Sequence, residues 1–354
     1  MIRFADILDH AEAIAWLRGA WRGGRLPHAL VFAGPVGVGK ATTARALAAL
    51  FLCGSPKKDE PCGQCESCRA MAGDVHPDFH VVYRQLIRLD QNTKSVARDL
   101  SIHVVRDHLI APANLKAVMN HGKVFVVEEA DLMNASAQNA LLKTLEEPAP
   151  RTLIIVVTEQ PNALLPTIRS RAQLVRFGLL DESLVQRELA KRGVDQSAAA
   201  DAARFTEGSL GVALSWLADG VVARARQLVD QLDAIMAGDG PVDLPEWLKK
   251  SAEAFAERAL SRDKLASKDQ ATREGLVTYL KIASNHFRRQ LGALQDAEDV
   301  ERVCGAIDAV VQAEAYVESN VNLPLVVQQF VSALERLFSL SPSPSAGEGR
   351  GEGV

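Results

Sequence analysis

The sequence of 354 residues lacks any run of 18 or more apolar residues, so no segment is expected to span a membrane. It also lacks a positive net charge and any basic, aromatic-rich stretch, which argues against independent binding to nucleic acid. The N-terminal sequence MIRFADILDHAEAIAW carries acidic residues where a secretory signal is basic and then apolar. These absences predict a protein that stays in the reducing cytoplasm.

Cysteine is scarce, yet four of the five cysteines form one short run with the spacing C-x8-C-x2-C-x2-C: Cys53, Cys62, Cys65 and Cys68. In a reducing compartment such a cluster favours a metal site over disulfide bonds. Four thiolates close a tetrahedral zinc site with no open position, so we predict a structural Zn²⁺. Reactive or redox cysteines are the alternative. The fifth, Cys304, lies on an apolar helical stripe and is predicted to pack in a core.

Short apolar strands alternate with helices in the first half of the sequence. The patterns predict strands at 28–34, 123–130 and 152–161, and helices at 41–52 and 135–148. This alternation is typical of an α/β fold with a parallel sheet covered on both faces. The strand signals end near residue 179, and only helical patterns follow. The predicted fold class is therefore α/β followed by all-α.

Changes in composition divide the chain into four predicted parts. Residues 1–178 form the α/β domain, which contains the cysteine module at 53–68, and residues 179–236 form a small helical domain. A segment rich in Gly, Pro and Asp then opens a C-terminal helical domain at 237–340. The end of the chain, 341–354, is rich in Ser, Pro and Gly and is predicted to be disordered.

The segment GPVGVGKATT, residues 34–43, has the G-x-x-x-x-G-K spacing of a phosphate-binding loop. It follows a predicted strand and opens a predicted helix, which is the setting that such a loop requires. Gly34, Gly37 and Gly39 allow backbone N–H groups to surround phosphate oxygens. Lys40 would then reach the β- and γ-phosphates of a nucleotide.

The metal-binding side of this site departs from an ordinary ATPase. Ala41 stands where a Ser or Thr hydroxyl holds Mg²⁺, and Thr42 projects about 100° further round the helix. After the strand in VFVVEEADLM, Glu129 is placed to activate water if the protein hydrolyses ATP. Glu128 has the charge needed at the metal position, but its side chain is one methylene longer than that of an aspartate. Binding of ATP with Mg²⁺ is therefore expected to be weakened, and an acidic loop without chemistry is the alternative.

Several motifs occur together in the order typical of one family. They are RLPHALVFAGPVGVGKATTARALAALFLC, the four-cysteine run, HPDF at 76–79, NALLKTLEEP at 139–148, LPTIRSRA at 165–172 and TEGSLGVAL at 206–214. They closely resemble the bacterial replicative clamp-loader AAA+ proteins, which include the delta-prime, gamma and tau subunits of DNA polymerase III. The resemblance implies a RecA-like AAA+ domain, a helical lid domain and a C-terminal collar domain that oligomerises. The C-terminal helices match only in length and general pattern.

The resemblance also implies partners and residue roles. Such subunits form an open ring, with gamma or tau and delta subunits, that uses ATP to open the sliding clamp and place it on primer–template DNA. Arg171 matches the arginine of the family's serine–arginine–cysteine motif, with Ala172 in place of the cysteine. That arginine reaches the γ-phosphate bound by the next subunit as an arginine finger. Thr158 matches the first sensor of the γ-phosphate. A surface arginine without a phosphate partner is the alternative for Arg171.

Departures from the family pattern distinguish between its members. In gamma and tau the loop ends Lys-Thr, the acidic strand ends Asp-Glu and an arginine follows GSL, whereas this sequence has Ala41, Glu128 and Gly211. Because Arg171 is retained, the pattern resembles the delta-prime branch, which completes a neighbour's ATP site and has no independent ATPase activity. The alternatives are a gamma- or tau-type motor that itself hydrolyses ATP and, more remotely, a zinc-bearing DNA-binding protein.

Overall fold

Two units make up the chain in the computed structural model, which describes residues 2–88, 97, 99–238, 243–262 and 267–339. The first unit is Met1–Ser215 and the second is Trp216–Val354. The predicted tail at 341–354 lies outside the described residues, and the finer division into AAA+, lid and collar domains stays a prediction.

A parallel sheet organises the first unit. Within the described residues it has five strands: β1 Ala29–Ala33, β2 Phe79–Val82, β3 Lys123–Val127, β4 Thr152–Thr158 and β5 Gln173–Arg176. The strand order is β2-β3-β4-β1-β5, and every neighbouring pair is parallel. All residues of β1, β3 and β4 are buried, as expected for strands covered on both faces. The predicted α/β core is confirmed, and β2 and β5 are strands that the sequence patterns missed.

Helices cover both faces of this sheet. They are α1 Ala11–Arg22, α2 Lys40–Leu52, α3 Glu66–Ala72, α4 Ile102–Val105, α5 Ala111–Ala113, α6 Ala135–Glu146 and α7 Pro166–Arg169. Three helices follow the last strand in the chain: α8 Glu182–Lys191, α9 Gln196–Phe205 and α10 Leu210–Ala218. A π-helical turn, Arg106–Ile110, joins α4 to α5, and 3-10 turns lie at Phe4–Asp6, Arg84–Leu86, Ala130–Leu132 and Pro161–Ala163.

Alternate residues along each central strand enter two separate hydrophobic clusters. On β1, Val31 packs into the cluster that contains Leu141 of α6, and Phe32 packs into the cluster that contains Leu47 of α2. This alternation follows from the two-residue period of a strand. Helices α2 and α6 therefore lie on opposite faces of the sheet, and the carboxyl ends of the strands are left for the loops that follow them.

The second unit is helical throughout its described residues. Its helices after α10 are α11 Val221–Ala237, α12 Leu244–Arg262, α13 Lys268–Leu291, α14 Ala297–Glu318 and α15 Leu323–Phe338. The prediction that Cys304 packs in a core is wrong, because its side chain is exposed on α14. The buried stripe of α14 begins at Val303 and Ala306, so Cys304 lies one helical step outside it. In the described part of the chain, no helix is long and apolar enough to cross a bilayer.

A buried carboxylate fixes the loop that leads into β3. Asp78, which directly precedes β2, has 2 % of its surface exposed. Its Oδ1 accepts the N–H of Val118 at 2.7 Å, and its Oδ2 accepts the N–H of Met119 at 2.8 Å. Because both N–H groups point at one carboxylate, this side chain holds the loop against the edge of the sheet.

We predict that Asp78→Asn lowers the free energy of unfolding by about 1–3 kcal/mol, because one of the two N–H groups then faces an NH₂ group instead of an acceptor. Asp74→Asn is the matched control. Asp74 is exposed and its Oδ1 lies 2.7 Å from Nη1 of Arg45, so its change should stay within about 0.5 kcal/mol. Urea unfolding followed by circular dichroism measures both values. Equal effects for the two variants would contradict the role given to Asp78.

Candidate nucleotide and metal sites

A cavity of about 510 Å³ lies beside the phosphate-binding loop. Seven of the residues predicted to form a nucleotide site line this cavity: Gly37, Gly39, Lys40, Thr42, Glu128, Glu129 and Thr158. These come from three places in the fold, namely the loop between β1 and α2 and the residues at the ends of β3 and β4. Among the described residues, neither Gly34 nor Arg171 lines the cavity.

The ammonium group of Lys40 is bound to its own loop. Its Nζ donates to the carbonyl oxygens of Gly34 and Pro35, each at 2.5 Å. Burial lowers the pKa of Lys40, while the carboxylates of Glu159 and Asp131 oppose that shift. Two of the three N–H donors of the ammonium group can be used in this way, so a phosphate would have to compete with the two carbonyl oxygens for them.

The threonine at the end of β4 is held by an acidic residue that the sequence analysis did not single out. The Oγ1 of Thr158 donates to Oδ1 of Asp131 at 2.8 Å, and the N–H of Glu159 donates to the same oxygen at 3.1 Å. Asp131 also lines the cavity. The only sequence signal for it is its place in EEAD, two residues after Glu129, which does not by itself indicate a contact with β4.

Neither glutamate after β3 is arranged as a ready metal ligand or base. The Oε2 of Glu129 lies 3.2 Å from Nε of Arg84, so its carboxylate is paired with a cation at the end of β2. Burial raises the pKa of Glu128, although Arg45 opposes the shift. A carboxylate holds Mg²⁺ only in its ionised form. Burial of Glu128 therefore disfavours the metal-binding state.

The hydroxyl groups of α2 give little more support for Mg²⁺. Ala41 has no hydroxyl, and the Oγ1 of Thr43 donates to the carbonyl oxygen of Gly39 at 2.9 Å. Thr42 lines the cavity but follows the expected hydroxyl position by one residue. The residues present therefore do not fit an ordinary Mg²⁺ site, whereas the loop and Lys40 retain the groups that bind phosphate.

Arg171 lies at the surface, in the turn between α7 and β5. Its Nη1 donates to the carbonyl oxygen of Thr167 at 3.0 Å, and its Nη2 lies 2.6 Å from Oε1 of Glu146. The Arg171 side chain is 36 % exposed and that of Glu146 is 49 % exposed. Exposed ion pairs contribute about 0–1 kcal/mol, so this one holds the guanidinium only weakly.

The four clustered cysteines have the geometry of a tetrahedral metal site. Their ligand atoms all lie within 4.8 Å of one another. The Sγ atoms of Cys53 and Cys65 are 3.9 Å apart, as are those of Cys62 and Cys68, and Cys53 and Cys68 are 3.6 Å apart. A zinc ion with Zn–S bonds of about 2.3 Å requires tetrahedral S–S edges of about 3.8 Å. The predicted set of ligands therefore fits Zn²⁺. The ion would link the end of α2, at Cys53, to the turn and helix α3 that carry the other three cysteines.

Backbone N–H groups favour the thiolate form at this site. The N–H groups of Gln64 and Cys65 point at the Sγ of Cys62, at 3.5 and 3.3 Å, and lower the pKa of Cys62 to about 6. Cys65 also caps α3, because its Sγ accepts the N–H of Cys68 at 3.4 Å. These N–H groups therefore favour the thiolate at Cys62, whereas burial raises the pKa of Cys53 and of Cys68, so those two thiols would need the metal ion itself to lose their protons.

Comparison with known proteins identifies the family. A family model described as "DNA polymerase III, delta subunit" matches residues 9–181. The DNA polymerase III subunit delta' of Escherichia coli (strain K12) is 31% identical over 255 residues, which cover 70% of this chain and 72% of that protein. The chain belongs to the delta-prime family of DNA polymerase III subunits. The expected relation to this family is confirmed.

This chain is also similar to other proteins that are named as delta' or gamma/tau subunits of DNA polymerase III. The subunit delta' of Pseudomonas aeruginosa is 38% identical over 169 residues, which cover 46% of this chain and 47% of that protein. The subunit gamma/tau of Mycobacterium tuberculosis (strain ATCC 25618 / H37Rv) is 35% identical over 188 residues, 53% of this chain and 31% of that protein. The chain thus spans about half the length of the first relative and a third of the second.

One solved structure is also similar, a DNA polymerase III gamma subunit-related protein from Thermotoga maritima. Its sequence is 16% identical, the match covers 90% of this chain and 98% of that one, and the TM-score is 0.41. Because that score is low, the fold class of this delta-prime-family chain rests on the order and register of its own strands.

We predict that the purified protein carries about one zinc ion per chain and that Cys65→Ser removes most of it, because a tetrahedral site needs all four ligands. Cys304→Ser is the matched control, since this cysteine is exposed on α14 in the other unit. Elemental analysis gives the zinc content, and thermal unfolding gives the accompanying loss of stability. Equal zinc content in the two variants would contradict the four-cysteine site.

Proposed function

We propose that this chain is a delta-prime-type subunit of the DNA polymerase III clamp loader in the cytoplasm. In a ring with gamma or tau and delta subunits, it helps to open the sliding clamp and place it on primer–template DNA. Residues 1–178 act as the AAA+ domain, residues 179–236 as the lid and residues 237–340 as the collar that assembles the ring. Membership of the delta-prime family supports this assignment.

The observation that carries the proposal is the contrast between Arg171 and the chain's own cavity. In that cavity Lys40 is bound to loop carbonyl oxygens and Glu129 is paired with Arg84. Ala41 provides no hydroxyl for a metal. Arg171 lies outside the cavity, at the surface, where a second molecule can approach it. The side chain suited to phosphoryl transfer is therefore presented outward.

The energies involved favour release of Arg171 to a neighbouring nucleotide. Its exposed pair with Glu146 is worth about 0–1 kcal/mol. An arginine finger contributes roughly 10³–10⁵ in rate, which corresponds to about 4–7 kcal/mol in the transition state. Breaking the pair with Glu146 therefore costs little compared with what the guanidinium can contribute in the transition state at a neighbour's γ-phosphate. Arg171 then stabilises negative charge on the transferred phosphoryl group.

A gamma- or tau-type motor is the second candidate, because Lys40, Glu129 and Thr158 line one cavity. In that case Thr158 senses the γ-phosphate and Glu129 activates water. Glu129 would first have to leave Arg84, and Mg²⁺ would have to bind without a hydroxyl at position 41. The missing hydroxyl is the larger of these two obstacles, because the Glu129 side chain is 39 % exposed and its ion pair is correspondingly weak. It makes the motor the less favoured candidate.

We predict that Arg171→Ala in this subunit lowers ATP turnover by the reconstituted ring with clamp and primed DNA, because a neighbour's site loses its arginine. Lys40→Ala should leave turnover nearly unchanged, because this chain's own loop is not used for hydrolysis. Arg169→Ala is the matched control, since this nearby arginine is also exposed and its Nη1 donates to Oδ1 of Asn162 at 2.9 Å.

The two candidates give opposite results in this assay. Loss of turnover with Lys40→Ala, and none with Arg171→Ala, would contradict the proposal and favour the motor. An equal loss with Arg169→Ala and Arg171→Ala would show a general effect of surface charge. Gel filtration of each ring establishes that assembly is unchanged before the rates are compared.

A further inference from the structure

A buried chain of hydrogen bonds runs through the cysteine module. The hydroxyl of Ser67, on α3, donates to the carbonyl oxygen of Leu52 at 2.7 Å. Nε2 of His76 lies 2.8 Å from the same hydroxyl oxygen, and Nδ1 of His76 lies 3.1 Å from the backbone nitrogen of Asp78. Ser67 and His76 have only 2 % and 5 % of their surfaces exposed, so water does not compete for these bonds.

The direction of each hydrogen bond in this chain follows from the groups at its ends. The N–H of Asp78 can only donate, so Nδ1 of His76 accepts and carries no proton. The neutral imidazole then carries its proton on Nε2, which donates to the hydroxyl oxygen of Ser67. That hydroxyl gives its own proton to the carbonyl oxygen of Leu52, which can only accept. His76 is therefore neutral, with its tautomer fixed by its neighbours.

Two members of this chain adjoin cysteines of the predicted zinc site. Leu52 ends α2 directly before Cys53, and Ser67 lies on α3 directly before Cys68. The bond between Ser67 and Leu52 therefore sets the distance between two segments that carry sulfur ligands. The Sγ atoms of Cys53 and Cys68 lie 3.6 Å apart. At the other end of the chain, the carbonyl oxygen of Asp78 accepts a backbone N–H of β3 at 2.9 Å, which ties the chain to the sheet.

We propose that Ser67 and His76 are positioning residues of the zinc site, which hold the segment at Cys53 and helix α3 at the spacing that a tetrahedral ion requires. His76 donates to Ser67 and so orients its hydroxyl toward the carbonyl oxygen of Leu52. The protein itself thereby brings the two segments together before a metal ion binds. Hydrogen bonds around a metal's ligands commonly change its affinity about 10–100-fold when they are removed. This inference does not depend on the proposed function in the clamp loader.

The zinc affinity of the full chain tests the proposal. Titration of the zinc-loaded protein with a chromogenic chelator at neutral pH gives the dissociation constant for Zn²⁺. Ser67→Ala should raise this constant about 10–100-fold, because the bond between the two segments is lost. Ser251→Ala is the matched control. This serine is also buried and its Oγ accepts Nη1 of Arg224 at 3.3 Å, but it lies in the second unit, so zinc affinity should not change.

Two substitutions of His76 separate positioning from a general effect on stability, and they also decide the case in which Ser67→Ala fails to fold. His76→Gln retains an N–H donor near the place of Nε2, whereas His76→Asn retains an acceptor near the place of Nδ1. The proposal predicts that His76→Gln binds zinc nearly as tightly as the wild type and that His76→Asn binds it more weakly. A histidine that only shapes the turn at Asp78 would give the reverse order. The proposal is overturned by that reverse order, by equal zinc affinities of Ser67→Ala and Ser251→Ala, or by a wild type that binds no zinc.

Discussion

The backbone of the phosphate loop is the constraint on which the rest of the first unit depends. A loop between a buried strand and a helix must find partners for its carbonyl oxygens, because buried polar groups without partners are costly. This chain supplies those partners itself, through Lys40 at one end of the loop and through Ser209 and Gly211 in its middle. These carbonyl oxygens of the loop are thus bound within the protein.

Helix α2 links this loop to the cysteine module. It begins at Lys40 and ends at Leu52, directly before Cys53, the first residue of the predicted zinc site. The carbonyl oxygen of Leu52 accepts the hydroxyl of Ser67, which is also bonded to Nε2 of His76 at 2.8 Å. Ser67 lies on α3 between the last two cysteines. A metal ion would therefore stabilise the far end of the same helix whose start carries the phosphate loop.

Local patterns predicted the buried strands, the helices around them and the cysteine cluster, because each is encoded within a short stretch of sequence. Strands β2 and β5 have four residues each and lie at the edges of the sheet, so their patterns are too short and too mixed to identify. The pairing of Glu129 with Arg84 and the contact of Ser209 with Val36 join distant residues. Such contacts follow from the tertiary fold and have no local signature. Cys304 was predicted to be buried because its neighbours on α14 are apolar. Its position lies one residue outside the buried stripe of that helix, so its side chain is exposed.

The most direct test of the account is a structure of the assembled ring with a non-hydrolysable ATP analogue. The account predicts that Arg171 leaves Glu146 and that its guanidinium lies within hydrogen-bonding distance of a γ-phosphate bound by the adjacent subunit. It also predicts that Glu129 stays paired with Arg84. The account would be contradicted if Arg171 remains on Glu146 while this chain's own loop holds the analogue together with Mg²⁺.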